Sequence, residues 1–136
     1  MLLRKTMSLL GIGAAKIDLI LEKTVYSPGE EVTGHFLLKG GTVEQSIKRI
    51  HVDLIKVDTV NEQETVVDSV TILSSRKLQA SQDEKLSFTV TLPSNTEESN
   101  KNIYYYFHSI LFFNEGVESR DQDIIHIKSN SSLNNV

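Results

Sequence analysis

Tyr26-Ser27-Pro28-Gly29-Glu30-Glu31-Val32-Thr33-Gly34-His35-Phe36-Leu37-Leu38-Lys39-Gly40-Gly41 contains, in order, a turn, a strand and a second turn. Pro28 pre-sets φ for the second position of a tight turn, and Gly29 supplies the positive φ that a type II turn needs next. Glu30 and Glu31 keep that turn in water. From Val32 the side chains alternate, with Val32, Phe36 and Leu38 on one face and Thr33, His35 and Lys39 on the other, which is the pattern of a half-buried strand. Gly40-Gly41 end it. The stretch predicts a reversal and a strand and holds no catalytic or cofactor motif.

The same period extends outward in both directions. Upstream, Ile17, Leu19 and Leu21 alternate with Asp18, Ile20 and Glu22, which predicts a first strand reaching about Val25, with Ile20 turned toward a second layer. Downstream, Ile50, Val52 and Leu54 alternate with Arg49, His51 and Asp53; the phase then slips at Ile55 and Val57, as a bulge, an edge or a strand buried on both sides would produce. Residues 58–63 read as a hairpin loop, and the β-branched residues Val66, Val67, Val70, Thr71 and Ile72 predict a strand over 64–73. Residues 74–83 suit a helix, an edge strand or a loop. Leu86, Phe88, Val90 and Leu92 give the cleanest alternation in the chain, closed by Pro93. A solvated loop over 94–102 precedes the apolar run 103–113, expected as a strand covered on both faces. Residues 114–123 read as polar loop before a last short strand through Ile125 and Ile127.

These 136 residues, 39% hydrophobic and 24% charged, suit one globular domain with a core of its own. About seven short strands and no long helix point to an antiparallel β-sandwich over residues 16–128, with an N-terminal apolar arm or short helix at 1–15 and a polar tail at 129–136. Arg4-Lys5 ahead of an apolar stretch resembles a signal peptide superficially, but the stretch is short and broken by Gly11 and Gly13, so an arm packed on the sandwich is expected instead. It is also too short to span a membrane. The net charge of −4 and the lack of any basic run beyond a residue pair argue against nucleic acid as a partner. With no cysteine, disulfides and thiolate chemistry are excluded, and the chain fits a reducing, cytoplasmic compartment.

Candidate chemistry is sparse. His35, His51, His108 and His126 lie in separate predicted strands without a recognisable ligand spacing. His108 and Ser109 are adjacent on one strand and so point to opposite faces, which prevents them from acting as base and nucleophile. Glu30-Glu31 and Glu97-Glu98 diverge on loops and make no calcium loop. Gly11-x-Gly13 and Gly40-Gly41 lack what a phosphate loop requires. The aromatic run from Tyr104 lacks the flanking cations of a nucleic-acid stacking surface. No catalytic, cofactor-binding or metal residue is assigned, and what remains is the backbone of edge strands, which can accept another strand.

Gly11-Ile12-Gly13-Ala14-Ala15-Lys16, the Tyr26–Gly34 turn and strand, and Lys39-Gly40-Gly41-Thr42-Val43-Glu44-Gln45 together resemble the sporulation-control protein family of Bacillus relatives. The resemblance implies an arrestin-like, immunoglobulin-like antiparallel sandwich and a non-catalytic regulatory or scaffold role exercised through protein–protein interaction. It implies that Pro28, Gly29, Gly34, Gly40 and Gly41 shape the sandwich. Leu9, Leu10 and Ile12 become a candidate interaction arm, and edge strands a candidate route to a homo-oligomer. Two departures are visible: Ser119 and Arg120 replace a Pro-containing acidic loop, and family members carry a second arrestin-like half for which this chain has no length. Alternatives from other classes are a small metal-dependent hydrolase assembled from scattered residues, and a peripheral membrane protein anchored by Leu2, Leu3, Leu9, Leu10 and Ile12 with Arg4 and Lys5.

Overall fold

A computed structural model describes residues 14–116 and 118–129. Nine strands follow one another: β1 (Lys16–Leu21), β2 (Val25–Tyr26), β3 (Glu31–Lys39), β4 (Gln45–Asp58), β5 (Gln63–Leu73), β6 (Lys77–Leu78), β7 (Asp83–Thr91), β8 (Ile103–Phe113) and β9 (Glu118–Ile127). They form a three-stranded sheet, β1-β3-β7, facing a six-stranded sheet in which β2-β9-β8-β4-β5 are neighbours and β6 pairs with the start of β4. Every pairing is antiparallel except the short parallel contact of β2 with β9. The fold is the expected all-β sandwich, with β2 and β6 as two-residue additions to the longer strands. The described residues contain no helix.

The turn at Pro28 and Gly29 is closed by the Glu30 N–H, which donates to the Ser27 carbonyl at 3.0 Å, and Gly29 has φ +80°. Val32, Phe36 and Leu38 are fully buried. Gly34 lies opposite Leu21, where a Cβ would stand 2.3 Å from the Ile20 carbonyl oxygen, so only glycine lets β1 and β3 approach this closely. The core joins the sheets through aromatic edges: Phe36 meets Phe88 at 5.3 Å and Phe88 meets Phe107 at 5.6 Å between ring centroids.

The structure corrects the strand map in several places. β1 ends at Leu21, because Val25 and Tyr26 have crossed to the larger sheet and pair with His126 and Ile127. Ile20 is 38% exposed and faces no second layer. The apparent phase slip in β4 is burial on its outer face, where Ile55 and Val57 lie opposite Tyr106 and Tyr104 and are buried; β5 separately carries a bulge at Val67, between Asp68 opposite Leu54 and Val66 opposite Ile55. β8 is covered on one face only, where Tyr105, Phe107, Ser109, Leu111 and Phe113 are buried, while Tyr104, Tyr106, His108, Ile110 and Phe112 are half-exposed on the other.

β9 begins at Glu118, inside the segment expected to be loop. Its inward positions are Ser119, Asp121 and Asp123, which carry no hydrophobic signal. The Ile17 N–H donates to Ser119 Oγ at 3.2 Å and the Leu19 N–H to Asp121 Oδ2 at 2.8 Å. These are the amides that β1, an edge strand, turns away from β3. Side chains of one sheet thus satisfy the edge of the other, and the sandwich is closed along this side.

Candidate functional site

The opposite side is open. β7 pairs only with β3, and β5 only with β4. The Leu92 N–H donates to the Glu30 carbonyl at 2.9 Å and the Gly40 N–H to the Gln82 carbonyl at 2.8 Å. By the parity of an antiparallel ladder, even-numbered residues of β7 bond to β3, while the backbone N–H and C=O groups of Asp83, Lys85, Ser87, Thr89 and Thr91 point outward. No strand among the described residues meets them. β5 also has an outer edge, at Ser69, Thr71 and Leu73, but the bulge at Val67 bends it.

Between these edges lies a shallow, half-open apolar slot lined by Val52, Leu54, Asp68, Val70, Phe88 and Val90 among others, with a volume of about 10 Å³. That holds about one water, too little for a small-molecule ligand. A more polar cavity of about 280 Å³ adjoins it, lined by Lys56, Val67, Pro93, Asn95, Thr96, Glu97 and Tyr105. Lys56 pairs with Glu97 at 2.5 Å, and that bond holds the ammonium above its ordinary pKa. The Tyr105 hydroxyl donates to the Glu97 carbonyl at 2.7 Å, and burial pushes its pKa up.

The histidines do not converge on one point. His51 bonds Thr71 Oγ1 through Nδ1 and Asp53 Oδ1 through Nε2, both at 2.9 Å. His108 lies across from Asp53 on β8, with its pKa lowered chiefly by burial and then by Arg120. His35 is in the smaller sheet and His126 at the far end of β9. Ser109 is fully buried on the face opposite His108.

Asp18, Asp121 and Asp123 bring carboxylate oxygens within 4.8 Å of one another on the closed side. Three hard oxygen donors could contribute to a divalent cation site, although Asp121 is already engaged with Leu19. The polar composition of residues 114–123, which reads as loop, conceals this grouping; the strict alternation of Ser119, Asp121 and Asp123 ahead of Ile125 is the signal that the sequence carries.

The glycines singled out by the sequence occupy separate places. Gly29 is in the turn beside Ser94, Gly34 lies against β1, Gly40 would meet the Gln79 carbonyl at 2.1 Å if it carried a Cβ, and the Gly41 carbonyl accepts from Ser81 N–H at 2.9 Å. They form no common surface. Leu9, Leu10 and Ile12 lie outside the described residues. No helix among the described residues is long and apolar enough to cross a membrane.

The model of the SpoOM protein family matches residues 3–136. The sporulation-control protein spo0M of Bacillus subtilis is 33% identical over 132 residues, covering 93% of this chain and 51% of that protein. The crystal structure of Bacillus subtilis Spo0M superimposes with a TM-score of 0.80 at 32% identity, covering 91% of this chain and 53% of the other. A Niemann-Pick type C2 protein from the Japanese carpenter ant shares the sandwich alone, with a TM-score of 0.54 at 11% identity. The chain therefore spans about half the length of its Bacillus subtilis relative. Matched along nearly its whole length, the chain belongs to the SpoOM sporulation-control family.

Proposed function

We propose that this chain is a non-catalytic regulatory adaptor of sporulation control, acting in the cytoplasm by binding another protein through an open edge of its sandwich. The observation that carries this reading is the asymmetry of the two sides. Side chains of β9 close the β1 edge, whereas β7 presents an ordered row of backbone donors and acceptors beside an apolar slot. Such an edge can recruit an extended segment by main-chain hydrogen bonding, with side-chain pockets adding selectivity. Family membership supplies the biological setting, and extending the role of a protein twice as long to this chain is part of the proposal.

The test is site-specific photo-cross-linking in sporulating cells. A cross-linking residue at Ser87 is expected to trap a discrete protein adduct, and one at Ile20 on the closed side is not. Equal adduct patterns at the two positions, or none at either, would contradict the reading.

A further inference from the structure

Resting on that interaction reading, we infer that β7 accepts an extended segment of another protein as a fourth strand of the smaller sheet, with a lysine or arginine of that segment directed at Asp68. Three features of the open side lead there. The outward backbone groups of Asp83, Lys85, Ser87, Thr89 and Thr91 supply the ladder for a new strand. The unequal sheets supply the space: three strands face six, and Val70 and Ile72 of β5 with Leu86 and Val90 of β7 pack on the core yet stay half-exposed. A strand added to β7 would lie over that inner row of β5 and shield it.

Charge selects the occupant. Asp68 is the charged residue lining the slot, and its carboxylate accepts only the neighbouring Ser69 N–H, at 2.9 Å, among the described residues. Lys56, two residues along β4 from the Leu54 that faces Asp68, is engaged with Glu97. A long basic side chain can lay its methylenes on Phe88 and Val90 and bring its head to Asp68, combining apolar burial with a charge-assisted hydrogen bond. A second copy of this chain pairing through its β5 fits poorly. Its β5 offers Glu64 and Asp68 with no cation, and the whole chain carries a net charge of −4.

The experiment uses the full chain, labelled with ¹⁵N, and two capped peptides matched in length to β7. One alternates threonine with valine and lysine; the other has glutamate in place of lysine. The lysine peptide, titrated to millimolar concentration, is expected to shift the amides of Lys85, Ser87, Thr89 and Thr91 and to bind about tenfold more tightly than the glutamate peptide. Asp68→Asn should erase that preference without loss of the fold. Thr89→Pro removes an outward N–H and spares the ladder to β3, so it should abolish binding while an unchanged melting temperature reports an intact sandwich. Equal affinity for both peptides, no binding of either, or β7 amides that shift on self-association without peptide would overturn the inference. Shifts confined to Ser69, Thr71 and Leu73 would overturn it too, yet leave the broader edge-binding reading standing; a Ser87 adduct in cells without peptide binding separates the two in the same way.

Discussion

The Asp121 carboxylate accepts the Leu19 backbone N–H at 2.8 Å, between two residues 102 positions apart in sequence and on opposite sheets. Ser119 does the same for Ile17. The two bonds explain why polar residues occupy the fully buried inner face of β9: they complete an edge strand that would otherwise leave buried amides unsatisfied.

Replacing Asp121 with Leu should therefore cost about 1–3 kcal/mol, the penalty of an orphaned buried donor. Asp121→Asn keeps an acceptor oxygen and should fall closer to wild type. Urea unfolding of the two variants measures the difference. Equal stabilities would show that the Leu19 bond contributes little.

Two glycines should respond to alanine for different reasons. At Gly34 the new Cβ meets a backbone oxygen, Ile20 O, at 2.3 Å, so β1 and β3 must separate and the cost should be about 2 kcal/mol or more. At Gly29 the nearest atom is 3.8 Å away and only the φ of +80° opposes a side chain, so about 1 kcal/mol is expected. Thermal melts rank them. Gly29→Ala proving the more damaging would contradict the close approach of β1.

His108 gives a pH dependence of definite sign. Burial, and next the charge of Arg120, hold its imidazole below the ordinary 6.5, while Asp53 and Glu118 oppose them. The unfolded chain thus binds this proton more readily than the folded one. The contribution to stability is complete above about pH 6.5 and is lost as the pH falls from there toward the lowered folded value. His108→Gln should lose less stability than wild type between about pH 7.5 and 5. Parallel urea midpoints across that range would remove His108 from the account of acid sensitivity.

Much of the fold was legible because most strands obey a single rule. Val32, Phe36, Leu38, Phe88 and Phe107 alternate with exposed residues, and the turn at Pro28 and Gly29 states its geometry in its residue types. What escaped were elements whose burial is polar or whose pairing is distant. β9 hid behind Ser119, Asp121 and Asp123, because the partners of Ser119 and Asp121 are amides of β1 about a hundred residues away. The bulge at Val67 leaves no mark in the sequence, since register belongs to a pair of strands. The outer face of β8 looked like core because Tyr104, Tyr106, Ile110 and Phe112 shield one another and Ile55 and Val57 across the sheet. The open edge could be expected in kind from sequence, but which strand carries it depends on strand order.

Hydrogen exchange along β7 tests the open edge most directly. In the isolated chain the amides of Leu86, Phe88 and Val90, bonded to β3, should be protected, while those of Lys85, Ser87, Thr89 and Thr91 should exchange rapidly, giving an alternating pattern. Uniform protection of both sets would mean that the edge is already occupied, and would contradict its availability to a partner strand.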